Sequence, residues 1–285
     1  MRNFNIQRIR KMAGAIGNPL GNKIASSGLY ILLMVIVVGI LAPMIAPHDP
    51  LAVNLTAKLL PPSLEYPLGT DQMGRCVFSR IISGTMASLV MPLTAMALIL
   101  LIGMPLGVIA GYYGGVFDRI IMVVVNTMLS FPNLLLAIVL TGFLGPGTLH
   151  ILLAVVAVWW AKYTRIVRGM TLSLKEKPYV KASRGCGSSD VWLMFRHIVP
   201  GTVPTVLVFS ALDVGRMILA ISGLAFLGLG VAPPSPEWGA MLSDGRHYLQ
   251  TAPRLLLSPG LAILLVMAAC NLLGEGLRDA LDVKR

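Results

Sequence analysis

YVKASRGCGSSDVWLMFRHIVPGTVP, residues 179–204, is the most polar and basic run in an otherwise oily chain, and two of the most hydrophobic blocks of the sequence flank it. Of 285 residues, 56% are hydrophobic and 12% charged, whereas a soluble domain carries about 25% charged residues. So few charges cannot cover a surface in water. Lipid is therefore the solvent for most of the protein, and the polar run is an excursion out of it.

Working outward from that run, apolar stretches of a length that crosses ~30 Å of hydrocarbon lie near residues 26–45, 89–113, 120–144, 149–163, 203–229 and 255–277. The third contains Pro132, a predicted kink, and the short fourth ends in an aromatic and lysine girdle suited to an interface. The reading is an all-α integral membrane protein with six transmembrane helices. The first stretch is too long for a cleaved signal segment, and it is read as a retained first helix.

Lysine and arginine placement gives the orientation. With the N-terminus inside, the cytoplasmic set is Arg2, Arg8, Arg10, Lys11, Lys23 and Arg119, then Lys162, Arg165, Arg168, Lys175, Lys177, Lys181, Arg184 and Arg196, and finally Arg278, Lys284 and Arg285. Only Lys58, Arg75, Arg80, Arg246 and Arg254 fall outside, a ratio of 17 to 5. Both termini are expected in the cytoplasm. Residues 1–25 form an N-terminal cytoplasmic segment and residues 26–285 one membrane domain. Segments 46–87 and 230–254 lie outside, and residues 164–202 form a cytoplasmic loop. The charge of +11 thus reflects loop asymmetry, and no nucleic-acid module accompanies it.

Within the loop, Lys175 to Cys186 reads as a helix with Pro178 in its first turn. Gly187 is placed to end it in the left-handed conformation. Ser188 or Ser189 then caps a second helix, with Asp190 against its N-terminal dipole. That helix carries Val191, Trp192 and Phe195 on one side until Pro200 stops it. The product is a compact helix–turn–helix knob with a docking surface.

Catalytic chemistry is not apparent. No GK dipeptide is present, which excludes a P-loop, and neither HExxH nor GxSxG occurs. His48, His150, His197 and His247 are scattered, and no metal site is expected. Cys76, Cys186 and Cys270 are too far apart in the predicted topology for an internal disulfide. Two charges sit inside a span: Asp213 and Arg216, at i, i+3, share a face and can pair, either as a structural lock or facing a polar pathway. Met217 beside them and Asn126 in the third span are further pathway candidates, with Asn271 a weaker one. Gly103, Gly107, Gly111 and Gly115 recur every four residues, a bare stripe suited to close helix packing.

The opening run resembles the cytoplasmic coupling loop of ABC-importer permeases. Lys181, Ala182 and Ser183 stand where that family has Glu-Ala-Ala, Gly187 at its glycine and Pro200 at its proline; the lysine and serine depart from the pattern. YPLGTDQMGRCVFSRIISG (66–84), GYYGGVFDRIIM (111–122), FLGLGVAPPSPEWGAML (226–242) and NLLGEGLRDALD (271–282) resemble the subfamily for di- and oligopeptides and nickel, with Cys76 where it often has Asp.

That resemblance implies a type I ABC-importer permease fold. It also implies a second homologous permease, two ATP-binding subunits that hold ATP and Mg, a solute-binding protein outside, and a place in the bacterial inner membrane. The coupling-loop residues it marks are Lys181, Ala182, Ser183, Gly187, Ser189, Asp190, Trp192, Phe195 and Pro200. LDVGRMILAISGLAFLGLG (212–230) looks slightly closer to nickel-type than to peptide-type members. A secondary transporter would need ion-handling carboxylates in its spans, and only Asp213 is available. A channel would need a filter or pore ring.

Overall fold

The computed structural model describes residues 23–230 and 234–282. Arg2, Arg8, Arg10 and Lys11 of the N-terminal segment and Lys284 and Arg285 of the tail lie outside them. In hydrocarbon, each backbone polar group must find its partner within the chain, so long apolar stretches become helices. Five helices are long and apolar enough to cross a membrane: α1 (Lys23–Ile40), α3 (Val77–Tyr113), α6 (Thr148–Lys175), α8 (Asp190–Leu229) and α10 (Arg254–Asp282). Between them lie α2 (Ala42–Ile45), α4 (Gly115–Leu129), α5 (Asn133–Leu144), α7 (Pro178–Gly185) and α9 (Trp238–Gly245). No strand forms among the described residues, only an isolated bridge between Thr70 and Cys76.

Three expectations are corrected. The third span is not a single kinked helix, because α4 and α5 meet at 89°. Pro132 has no N–H to continue the ladder, and Ser130 Oγ turns back to donate to Asn126 O at 2.8 Å. The sixth crossing therefore exists only if this bent pair crosses as a unit. The fourth span does not end near residue 163: α6 runs to Lys175, so Lys162, Arg165 and Arg168 ride on the helix rather than on a loop.

Pro200, third, does not stop its helix. The chain from Asp190 continues as helix past Pro200 to Leu224 through a π-helical stretch at Met194–Ile198, where the Val199 N–H reaches Met194 O. The wider turn lets the helix absorb a proline two residues later. At its far end Gly228 takes φ +85° within a second π-helical stretch, Ala225–Leu229.

The most extensive helix contact in the fold is between α3 and α6. A Cβ placed on Gly107 would lie 2.7 Å from both Thr164 O and Val167 Cβ, and one on Gly111 2.7 Å from Thr171 Cβ. Gly103 stands in the same relation to Tyr163 and Trp160. Backbones thus touch along three turns, as the stripe predicts; Gly115 falls outside the contact, with open space around it. Ile99, Val155, Val167, Leu193, Ile198 and Leu224 fill the core beside this seam.

The polar segment at residues 69–84 is helical only from Val77, where it becomes the start of α3. It is pinned by an ion network buried at the helix entrance. Asp71 accepts from Arg75 Nε at 2.6 Å and lies 3.6 Å from Arg80 Nε, while Arg75 reaches Asp244 of α9 at 3.6 Å. Trp238 adds a hydrogen bond to Ile81 O at 3.0 Å. The two segments outside the long helices are thereby joined. Cys76 caps α3 without a side-chain hydrogen bond and is buried. Gly107→Ile should lower stability by about 1–3 kcal/mol through overpacking. Gly169→Ala, whose Cβ would meet nothing within 4 Å, should instead raise it by about 0.5–1 kcal/mol through better helix propensity. Thermal unfolding in detergent checks this; equal effects would contradict the packing.

Candidate coupling site and charged cluster

Lys177 caps α7 and Pro178 occupies its first turn. At the other end Gly187 adopts φ +86°, a conformation that costs other residues about 1–2 kcal/mol. Its N–H bonds Arg184 O at 3.0 Å and that of Ser188 bonds Ser183 O at 3.3 Å, the paired bonds of a Schellman ending. Ser189, rather than Ser188, caps the next helix by accepting from the Trp192 N–H at 3.4 Å. Asp190 follows in the first turn.

Val180, Leu193, Met194 and Ile198 point into the core. Val191, Trp192 and Phe195 point out, Phe195 being 72% exposed. His197 packs edge-on between Tyr179 and Trp192, with centroids 5.6 and 5.2 Å away. The knob is therefore anchored on one side and apolar on the other. Ala182 and Lys181 are exposed and Pro200 is partly buried. Lys181 Nζ meets Glu176 Oε2 at 2.7 Å, and this bond holds the Glu176 carboxyl below its ordinary range. The lysine at the family's glutamate position thus has an acidic partner in its own chain.

Sequence reasoning missed what fastens the knob to the bundle. Tyr112, the residue after Gly111 at the end of α3, donates to Asp190 Oδ1 at 2.7 Å and accepts from Arg184 Nη2 at 2.8 Å. The Arg184 guanidinium also lies 5.2 Å from the Tyr112 ring centroid. The hydrogen bond to Tyr112 raises the pKa of Arg184. Lys175 Nζ donates to Gly111 O at 2.9 Å, and Arg168 of α6 pairs with Asp118 of α4. The one sequence signal was the position of Tyr112, directly past the glycine stripe.

The pair of span charges is a larger cluster than spacing showed. Arg216 Nη1 donates to Asp213 Oδ1 at 3.2 Å. The other oxygen, Oδ2, accepts from Lys162 Nζ at 2.5 Å and Tyr163 Oη at 3.0 Å, both from α6. Asp213 is buried, whereas the Arg216 side chain is 70% exposed and that of Lys162 32%. Arg216 lies near the midpoint of the apolar stretch 203–229, where facing lipid would cost ~2.5–3.5 kcal/mol even on lenient insertion scales. Met217 does not join this flank. It is fully buried in the core, about a quarter-turn round the helix from Arg216. Asn126 is exposed elsewhere and accepts from Arg165 Nη2 at 2.8 Å. Among the described residues no group of His, Cys, Asp and Glu is arranged to hold a metal.

Comparison with known proteins gives the family. Residues 103–285 match the family described as binding-protein-dependent transport system inner membrane component. Residues 20–62 match the N-terminal transmembrane domain of oligopeptide transport permease C. The chain is 41% identical over 91% of its length to a glutathione transport system permease protein of Pectobacterium atrosepticum, covering 86% of that protein. It is 42% identical to a dipeptide transport system permease protein of Haemophilus influenzae, over 92% of this chain and 91% of that protein. A nickel transport system permease protein of Escherichia coli is 39% identical over 83% of this chain and 85% of its own. Among solved structures, an inward-facing methionine ABC transporter superposes with a TM-score of 0.57 at 17% identity, covering 73% of this chain and 98% of that one. The chain belongs to the binding-protein-dependent transport family, as an inner-membrane permease subunit of the peptide- and nickel-type ABC importers.

Proposed function

We propose that this permease forms half of a translocation path with a second, homologous permease, and that the knob from Pro178 to Ile198 docks one of two ATP-binding subunits. ATP and Mg belong to those subunits, and a solute-binding protein delivers cargo on the opposite face. The knob and both termini are cytoplasmic in this reading, which the 17-to-5 ratio of basic residues supports. One observation carries the proposal: an exposed apolar patch of Val191, Trp192 and Phe195 on a turn anchored to the bundle by Tyr112, Val180 and Leu193. A fastened turn transmits a push from a partner, whereas a loose glycine- and serine-rich loop would absorb it.

The cargo we propose is a small peptide or a metal chelate that carries carboxylates. The slight lean toward nickel from residues 212–230 gains no support from relatives, since glutathione- and dipeptide-permease relatives match as well as nickel ones. Cargo of this kind moves along the flank that bears Arg216.

Trp192→Ala should weaken association with the ATP-binding subunit by about 2 kcal/mol, the cost of truncating an aromatic anchor, without unfolding the permease. Gly187→Asp should have a similar effect by straining the turn. Co-purification and uptake in membrane vesicles check both, and unchanged association would contradict the docking site. Tyr112→Phe keeps the ring beneath Arg184 but removes both hydrogen bonds, at a cost of about 0.5–1.5 kcal/mol each. It should lower transport per ATP hydrolysed in the reconstituted importer. A parallel loss of both activities would mean that Tyr112 serves folding rather than coupling.

A further inference from the structure

Asp213 carries two cations and one tyrosine, and both of its oxygens are engaged. Oδ1 holds Arg216, and Oδ2 holds Lys162 and Tyr163. Two positive charges against one negative leave a surplus of one. The arrangement is fixed from two helices: α6 supplies Lys162 and fully buried Tyr163, and α8 supplies Asp213 and Arg216. Arg216 commits only Nη1 to a partner among the described residues, so the Nε and Nη2 donors of a 70% exposed side chain are open.

We infer that Arg216, oriented by Asp213 and backed by Lys162, is a carboxylate-recognising subsite midway along the translocation path. A guanidinium fork with an open edge suits a planar carboxylate, which can accept two parallel N–H bonds from it. The surplus charge attracts an anionic group and repels a bare divalent cation. Asp213, occupied by its own chain, offers that cation no free oxygen. Peptides and amino-acid chelates both present the required group. The inference rests on the reading that this flank lines the path for such cargo.

The test uses the complete importer, both permeases with the ATP-binding subunits and binding protein, in lipid vesicles. Leu219, three residues from Arg216 and 54% exposed, is changed to cysteine in a Cys186→Ser background. Anionic sulfonatoethyl and cationic trimethylammonioethyl methanethiosulfonates are the probes. Relative to a free thiol, the anionic reagent should be favoured about tenfold or more. Arg216→Gln should collapse that preference and Arg216→Lys should keep it. A cysteine inert to both reagents would place the flank against lipid or a partner chain and overturn the subsite. So would a preference unmoved by Arg216→Gln.

In the same vesicles, uptake of radiolabelled glutathione, dialanine and the nickel–histidine complex is compared. For each cargo that the unaltered importer moves, Arg216→Gln should cut uptake about tenfold, with Arg216→Lys retaining most of it. Undiminished uptake in Arg216→Gln would overturn the inference. If the unaltered importer moves none of the three, the cargo reading fails, and the labelling alone decides the subsite.

Discussion

The backbone-to-backbone contact of α3 with α6 is the constraint on which the other features depend. Lipid tails are as apolar as leucine, so burial of oily side chains does little to drive helices together inside a bilayer. Close packing and specific bonds must do it. Gly103, Gly107 and Gly111 remove the side chains that would hold the helices apart, and the α6 backbone fits into the groove that results. With α6 seated there, its length to Lys175 is fixed in direction. That direction places Lys162 and Tyr163 at Asp213, Arg168 at Asp118 and Lys175 at Gly111.

Two consequences follow at different heights of the same seam. At its end, Tyr112 emerges from the glycine stripe directly against the knob, so the proposed docking element is tied to this closely packed pair of helices. Halfway along, Asp213 ties α6 to α8, the helix that begins in the knob itself at Asp190 and runs on past Arg216. The π-helical stretch at Met194–Ile198 makes this continuity possible despite Pro200 and Pro204. The knob and the charged cluster are thus joined by one continuous helix, with no loop in between.

Much of this was legible in the sequence because it is written in local signals. Gly187 ends a helix because only glycine takes φ +86° without cost, and Ser189 caps the next because its hydroxyl meets an unpaired N–H. The glycine stripe and the Asp213–Arg216 pair follow from helical spacing alone. What escaped was set by contacts between distant segments. Lys162 looked like an interfacial residue until α6 was seen to continue beyond it, and its bond to Asp213 spans 51 residues. Tyr112 read as the tail of an apolar span, and its partner lies 78 residues away. Pro200 misled for another reason: a proline breaks a regular α-helix, and nothing in its neighbours announces the π-helical stretch that accommodates it.

Pulsed spin-label distances in the assembled importer test the coupling most directly. One pair joins Val191→Cys on the knob to Gly169→Cys on α6, and a second joins Val191→Cys to a label on the partner permease, with and without trapped ATP. A rigid knob predicts one narrow Val191-to-Gly169 distance that is the same in both states, while the distance to the partner permease changes. A Val191-to-Gly169 distance that broadens or shifts on ATP trapping, with the other unchanged, would show that the knob absorbs the motion and would contradict coupling through the α3–α6 seam.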